Sequence, residues 1–259
     1  MKSMRSAMFS LLPILLCPAC ATPGGSGHLL QAVAWVQTAA ERDALCEQVF
    51  AAATAAMRAA TAEVGERPYA VVVDVDETML DNSPYQAALV RDGRSFDADS
   101  WNAWCRDAHA AAVPGAVAFA DACRARSVAV FYVTNRDRAL EGATRLNLAG
   151  CGLPVDDIGG IDVVLCRGEV DGEGDKAGRR ARVEETHDVV VWVGDDLGDF
   201  ATPKESVAQR RLQVQRHLDD WGARWFVLPN PMYGSWDRAL TRAAGAPDAA
   251  RRAALSPAR

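Results

Sequence analysis

Five short apolar runs punctuate the chain, at 71–73 (Val-Val-Val), 127–133 (Ser-Val-Ala-Val-Phe-Tyr-Val), 161–166, 189–193 and 225–228. Runs this short, rich in β-branched residues and without polar alternation, predict strands buried on both faces of a mostly parallel sheet. Between 28 and 64 there is no proline or glycine, and Leu29, Val33, Val36, Leu45, Val49 and Met57 recur at helical spacings. That spacing predicts one or two helices, stopped by the break at 65–68. Further helical pattern follows at 97–105, which carries Trp101 and Trp104, after the turn at 113–117, and in the basic stretch 176–182. Beyond about residue 242 the chain is Ala, Arg and Pro with few large apolar side chains, which predicts a frayed helix or disorder. Strands alternating with helices predict a three-layer α/β fold with right-handed crossovers. A helical accessory layer comes from the N-terminal segment, the insertion after the first strand and the C-terminal region.

The strands end at polar residues, and in an open α/β sheet ligands bind at the carboxyl ends of strands. The first run stops at Asp74 and Asp76. Two acids one residue apart repel each other in an apolar crevice unless a cation or a shared proton relieves them, and oxygen donors suit Mg2+. The second run leads into Thr134-Asn135-Arg136, where a hydroxyl and an amide can donate to a phosphoryl oxygen without adding charge. Arg136 reads equally well as one half of a salt bridge within the fold. The fourth run ends at Gly194-Asp195-Asp196-Leu197-Gly198-Asp199, and the last at Pro229-Asn230-Pro231-Met232-Tyr233.

The triplet Asp74, Asp76, Thr78 resembles the first motif, Asp-x-Asp-x-Thr, of the haloacid dehalogenase superfamily of phosphotransferases. The longer string Asp-Glu-Thr-Met-Leu-Asp-Asn-Ser-Pro-Tyr at 76–85 resembles the class C acid phosphatases, a bacterial surface-lipoprotein 5′-nucleotidase family. The resemblance spans roughly residues 30–240, with Thr134 in the second motif, Lys176 and Arg179 in the third and Asp195 and Asp199 in the fourth. It departs from the family at Gly178, at the extra Arg180 and at Gly198, where an acid is usual. It implies a Rossmann-like fold and a metal-dependent phosphomonoesterase working through an aspartyl-phosphate. Asp74 is then the nucleophile, Asp76 the acid and base, and Lys176 the ammonium that neutralises crowded anions. Mg2+ is held by Asp74, by the backbone carbonyl of Asp76 and by Asp195, with Asp199 orienting metal waters or Lys176. Asn135 binds substrate, and Phe96 and Tyr233 stack on a nucleobase, which favours nucleoside 5′-monophosphates. Hydrolysis of other small phosphate esters, and nucleotide capture by a surface lipoprotein without turnover, are the competing readings.

A net charge of −6 argues against a nucleic-acid polymer as partner and leaves room for a small phosphorylated substrate. Lys2 and Arg5, the apolar stretch 8–17 and Ala19-Cys20-Ala21 predict an export signal. Ala19-Cys20 suits lipoprotein cleavage with lipid on Cys20 and an outer-membrane or cell-surface location. Ala19-x-Ala21 suits ordinary cleavage and a free periplasmic protein, and mass spectrometry of the mature N-terminus separates the two. The expected organisation is a signal at 1–20 and a tether with N-terminal helices at 21–66. A core at 67–240 follows, with a lid insertion near 83–112, and then a tail at 241–259. Cys46, Cys105, Cys123, Cys151 and Cys166 are odd in number and lack metal-type spacing; Cys123 and Cys166 read as buried small hydrophobes.

Overall fold

A computed structural model describes residues 29–170, 175–201, 206–242 and 246–255. In chain order its elements are α1 (Leu30–Thr38), α2 (Ala40–Ala60), β1 (Tyr69–Val73), β2 (Leu80–Asp81), α3 (Ser83–Asp92), α4 (Ala98–Asp107), β3 (Ala111–Ala112), α5 (Ala116–Arg124) and β4 (Ala129–Asp137). They continue with α6 (Glu141–Gly150), β5 (Val164–Arg167), α7 (Ala177–Glu184), β6 (Asp188–Gly194), α8 (Val207–Arg216), β7 (Trp225–Val227), α9 (Ser235–Thr241) and α10 (Pro247–Ala253).

All five expected strands form one parallel sheet in the order β5-β4-β1-β6-β7. The chain builds outward from β1 through β4 to β5, then returns to the other side of β1 for β6 and β7. The strand order therefore reverses between β1 and β6, and the crevice at their carboxyl ends is where such a sheet binds ligands. Val71, Val73, Phe131, Val191 and Val193 are buried in the sheet, and α2 and α5 cover it through Phe50 and Phe119, whose ring centroids lie 5.6 Å apart. The two-stranded ribbon β2-β3, pairing Asp81 with Ala111, closes the neck of the insertion that holds α3 and α4. That neck, two residues on each side, is too short to register as a strand pair in the hydrophobic pattern.

Within the segment expected to be helical, residues 30–60 form two helices, broken at Ala39, whose ψ of 119° is extended. Packing sets the break. Cys46, Phe50, Ala53 and Met57 of α2 join the sheet core, whereas Val33 and Val36 of α1 pack on Met232 in a separate cluster. β4 runs to Asp137 rather than stopping at Val133, because Asp137 still pairs with Arg167 on β5. β5 starts at Val164, three residues later than expected, since Ile161 is taken up by a bridge to Ile158. In the tail, α10 is tied to α9 by Arg251, which donates to both oxygens of Asp237 at 2.8 Å.

The segment expected to be an export signal, Cys20 and the glycine-rich stretch after it lie outside the described residues. Among the described residues no helix is long and apolar enough to cross a membrane. Cys46, Cys105, Cys123, Cys151 and Cys166 are free thiols, and burial pushes the Cys123 and Cys166 thiols up to about 12. A thiolate nucleophile is thereby disfavoured.

Candidate active site

Where β1 stops, the backbone N–H of Asp74 still donates to Val193 O on β6 at 3.0 Å, holding the two strand ends together. This brings Asp74 beside Asp195, which follows the last residue of β6. A 3₁₀ turn at Leu197–Asp199 returns the chain, and Asp199 Oδ2 accepts from Asp196 N at 2.8 Å. Gly194 makes the return possible. A Cβ there would lie 2.5 Å from Asp199 Cβ, which no side chain tolerates. Lys176, immediately before α7, places Nζ between Asp74 Oδ1 and Asp199 Oδ1, the latter at 2.7 Å.

Asp74, Asp195 and Asp199 each offer a carboxylate oxygen within 4.8 Å of the others. Lys176 offsets one of these three charges in a buried site. Desolvation, with Asp199 and Asp76 adding repulsion against the pull of Lys176, raises Asp74 to about 7. Asp195 is likewise raised by desolvation and by Asp199 and Asp74. An all-oxygen donor set with uncompensated negative charge suits a hard divalent cation. Asp195 is further held by Asn230 Nδ2 at 2.7 Å and lies 3.4 Å from Thr78 Oγ1. The Asp76 side chain is not part of this carboxylate group.

Asp76 turns instead toward the end of β4. Its Oδ1 accepts from Arg136 Nε at 3.0 Å and Nη2 at 2.8 Å. Of the two readings left open for Arg136, this is the salt bridge, but it lies at the site itself. Thr134 is fully buried; its hydroxyl accepts from Arg136 N at 3.1 Å and lies 3.5 Å from Asp76 Oδ2. Asn135 Oδ1 accepts from Arg179 Nη2 at 2.8 Å, and Arg179 also donates to Thr134 O. The Lys-x-x-Arg spacing thus serves two purposes one turn apart: Lys176 meets the carboxylates and Arg179 fastens the end of β4. Two of the three departures from the family pattern meet each other, since Arg180 Nη1 donates to the carbonyl of Gly198 at 2.8 Å.

These groups open onto a cavity of about 440 Å³. Asp74, Asp76, Lys176, Asp195 and Asp199 line its floor, and Phe96, Trp101, Met232 and Tyr233 its apolar wall. Phe96 is 62% exposed and meets Tyr85 edge-on at 6.5 Å, so it is a rim residue rather than lid core. The two tryptophans of α4 separate in role. Trp101 lines the cavity, whereas Trp104 packs against the core and donates Nε1–H to Asn82 Oδ1 at 2.8 Å. Tyr233 donates its hydroxyl to Glu77, a buried acid in the left-handed region at φ 59°. Desolvation and the nearby Asp76 raise the Glu77 carboxyl well above the ordinary range.

Sequence reasoning did not assign roles to Asn82, Glu77 or Asn230. Asn230 was within reach, because it follows a strand end in the same way as the motif acids. Glu77 and Asn82 sit inside the recognised string, but their contacts depend on how the loop turns.

A family model described as HAD superfamily, subfamily IIIB (acid phosphatase), matches residues 26–236. The structure of the class C acid phosphatase from Bacillus anthracis superposes with a TM-score of 0.83 at 33% identity, covering 90% of this chain and 99% of that one. The structure of the Bacillus anthracis enzyme with tungstate bound superposes equally well, at 32% identity and the same coverage.

Proposed function

This chain belongs to subfamily IIIB of the HAD superfamily and is an acid phosphatase, and on that premise we propose that it hydrolyses nucleoside 5′-monophosphates through an aspartyl-phosphate. The observation that carries the reading is the close grouping of buried Asp74, Lys176 and Asp199 with half-buried Asp195 at the point where the sheet order reverses, opening onto a cavity walled by aromatic rings. Tungstate, the ligand of the Bacillus anthracis structure, is a tetrahedral oxyanion of the same shape class as phosphate.

Asp74 attacks phosphorus, and the alkoxide leaves with a proton from Asp76. In the second half-reaction Asp76 takes a proton from the water that displaces Asp74. Lys176 holds Asp74 in place and meets the charge that gathers on the phosphoryl oxygens. Asp74 and Asp195, with the backbone carbonyl of Asp76 that the family resemblance implies, would hold Mg2+, Asp199 would support Lys176, and the ion would supply electrostatic stabilisation of the phosphoryl group. Asn135, Arg136, Phe96 and Tyr233 all line the cavity; in this reading the first two serve the phosphate and the two rings the base.

The deciding assay is a panel of phosphate esters with and without a chelator. Activity should depend on a divalent cation, and nucleoside monophosphates should be preferred over sugar phosphates. Full activity in chelator would sink the metal assignment. Stability gives a second readout. Burial raises the Asp74 carboxyl from 3.8 to about 7, so the native state binds that proton more tightly than the unfolded chain. Unfolding then releases protons, and the thermal midpoint of metal-free protein should fall as pH rises from about 4 to about 7. Added Mg2+ should flatten that fall, and identical curves with and without metal would count against the site.

Tyr233→Ala should raise KM for nucleotides by roughly tenfold while sparing small phosphate esters, the effect of losing about 1.4 kcal/mol of stacking. An equal loss on both substrate classes would make Tyr233 a structural part of the closing loop.

A further inference from the structure

Asp76 lines the cavity, yet its two oxygens stand in different surroundings. Oδ1 accepts three hydrogen bonds, from Arg136 Nε at 3.0 Å, Arg136 Nη2 at 2.8 Å and Asn82 Nδ2 at 2.9 Å. Among the described residues Oδ2 has only the Thr134 hydroxyl, at 3.5 Å. A carboxylate has about two acceptor sites on each oxygen, so three donors leave Oδ1 no free lone pair for a proton. We propose that Arg136 and Asn82 are positioning residues that commit Oδ1 of Asp76 to the scaffold and reserve Oδ2 for proton transfer.

The holders are themselves fixed. Arg136 is 2% exposed, its Nη1 donates to Thr144 Oγ1 at 3.3 Å, and its guanidinium carbon lies 5.8 Å from the centroid of the Trp101 ring. Asn82 cannot present its amide the other way round. The indole N–H of Trp104 is only a donor and reaches Asn82 Oδ1 at 2.8 Å, which turns Nδ2 toward Asp76. The backbone N–H of Asn82 also donates to Glu77 Oε1 at 3.0 Å. Two side chains from different parts of the fold thus fix the rotation of one carboxyl group, and they do so without entering the path of the proton.

This inference rests on the reading of Asp76 as proton carrier. During ester cleavage the proton on Oδ2 passes to the ester oxygen as its bond to phosphorus breaks and the bond from Asp74 to phosphorus forms. During hydrolysis Oδ2 takes a proton from the water whose oxygen displaces Asp74, which restores the starting state. The contacts persist through the proton's arrival and departure, because with the proton on Oδ2 the other oxygen, Oδ1, is a carbonyl that still accepts from Arg136 and Asn82.

The test compares an alkyl ester, ribose 5-phosphate, with p-nitrophenyl phosphate, whose leaving group departs without a proton. General acid catalysis contributes about 10²–10⁴-fold, and only the alkyl ester draws on it in the cleavage step. Arg136→Met should therefore lower kcat/KM, which reports the cleavage step and not the later hydrolysis that both esters share, by about 100-fold or more on ribose 5-phosphate and by less than about tenfold on p-nitrophenyl phosphate. Arg136→Lys keeps the buried charge but not the fork, and should show a gap of at least about tenfold in the same direction. It decides the matter if Arg136→Met does not fold. Adding Arg136→Lys to Asp76→Asn should cause no further loss on the alkyl ester. Equal losses on both esters in the Arg136 variants, with the gap still seen in Asp76→Asn, would overturn the positioning inference alone. Absence of the gap in Asp76→Asn would remove the proton-carrier reading, and the inference with it.

Discussion

Asp74→Asn is expected to lower kcat by roughly 10⁴-fold or more while the fold survives, on the scale seen when a covalent nucleophile is removed. The amide is nearly the same shape as the carboxylate, so it fits the same buried space. It is neither a nucleophile toward phosphorus nor an effective ligand for a hard cation. Stability should not fall with activity, because the substitution takes one negative charge out of a group where Asp74, Asp195 and Asp199 crowd together. Part of that relief is offset by the lost ion pair with Lys176. The measurements are steady-state kinetics, the thermal midpoint and trapping of the phosphoenzyme by mass spectrometry. Near-normal turnover with an unchanged midpoint would rule out the aspartyl-phosphate pathway.

Lys176→Met should have the largest effect on stability. Lys176 is buried and lies between Asp74 and Asp199, and those two carboxylates raise its ammonium above the ordinary lysine value despite the cost of burial. Removing it leaves buried carboxylates without their cation. Breaking a buried pair from one side costs about 3–5 kcal/mol, which corresponds to a fall in thermal midpoint on the order of 10 °C for a chain of this size. The deficit should shrink as pH is lowered, because protonating the acids removes the charge that lacks a partner. Turnover should be lost at every pH. A midpoint within about 2 °C of the parent at neutral pH would show that the acids find another partner, and would discount Lys176 as the cation that holds them.

The recognised motifs and the fold class were legible for one reason. In a parallel sheet every strand delivers its carboxyl end to the same edge, so acids that follow apolar runs hundreds of ångströms of chain apart must converge. Asp74 after β1 and Asp195 after β6 are local features of the sequence, and strand direction does the rest. Lys176 was identifiable through resemblance to the family and through its spacing from Arg179, although the pattern alone does not say that Arg179 turns back to hold the end of β4.

What the sequence by itself determined was the parallel α/β architecture, the strand ends that carry the chemistry and the acids and lysine that meet there. The architecture and the acids follow from residues adjacent in the chain, whereas the lysine needed the family resemblance as well. Only the tertiary structure decided which partners those residues take. Arg136 and Asp76 are separated by 60 positions, and no local pattern distinguishes a fold-internal salt bridge from one that clamps a site acid. Trp101 and Trp104 lie three residues apart on one helix, yet the first walls the cavity and the second anchors Asn82, because the neighbours of α4 differ on the two sides. The break between α1 and α2 belongs to the same class, since it answers to two separate apolar clusters built largely from distant residues. Hydrophobic periodicity records how much of an element is buried, whereas the identity of what covers it is settled only when the whole chain has packed.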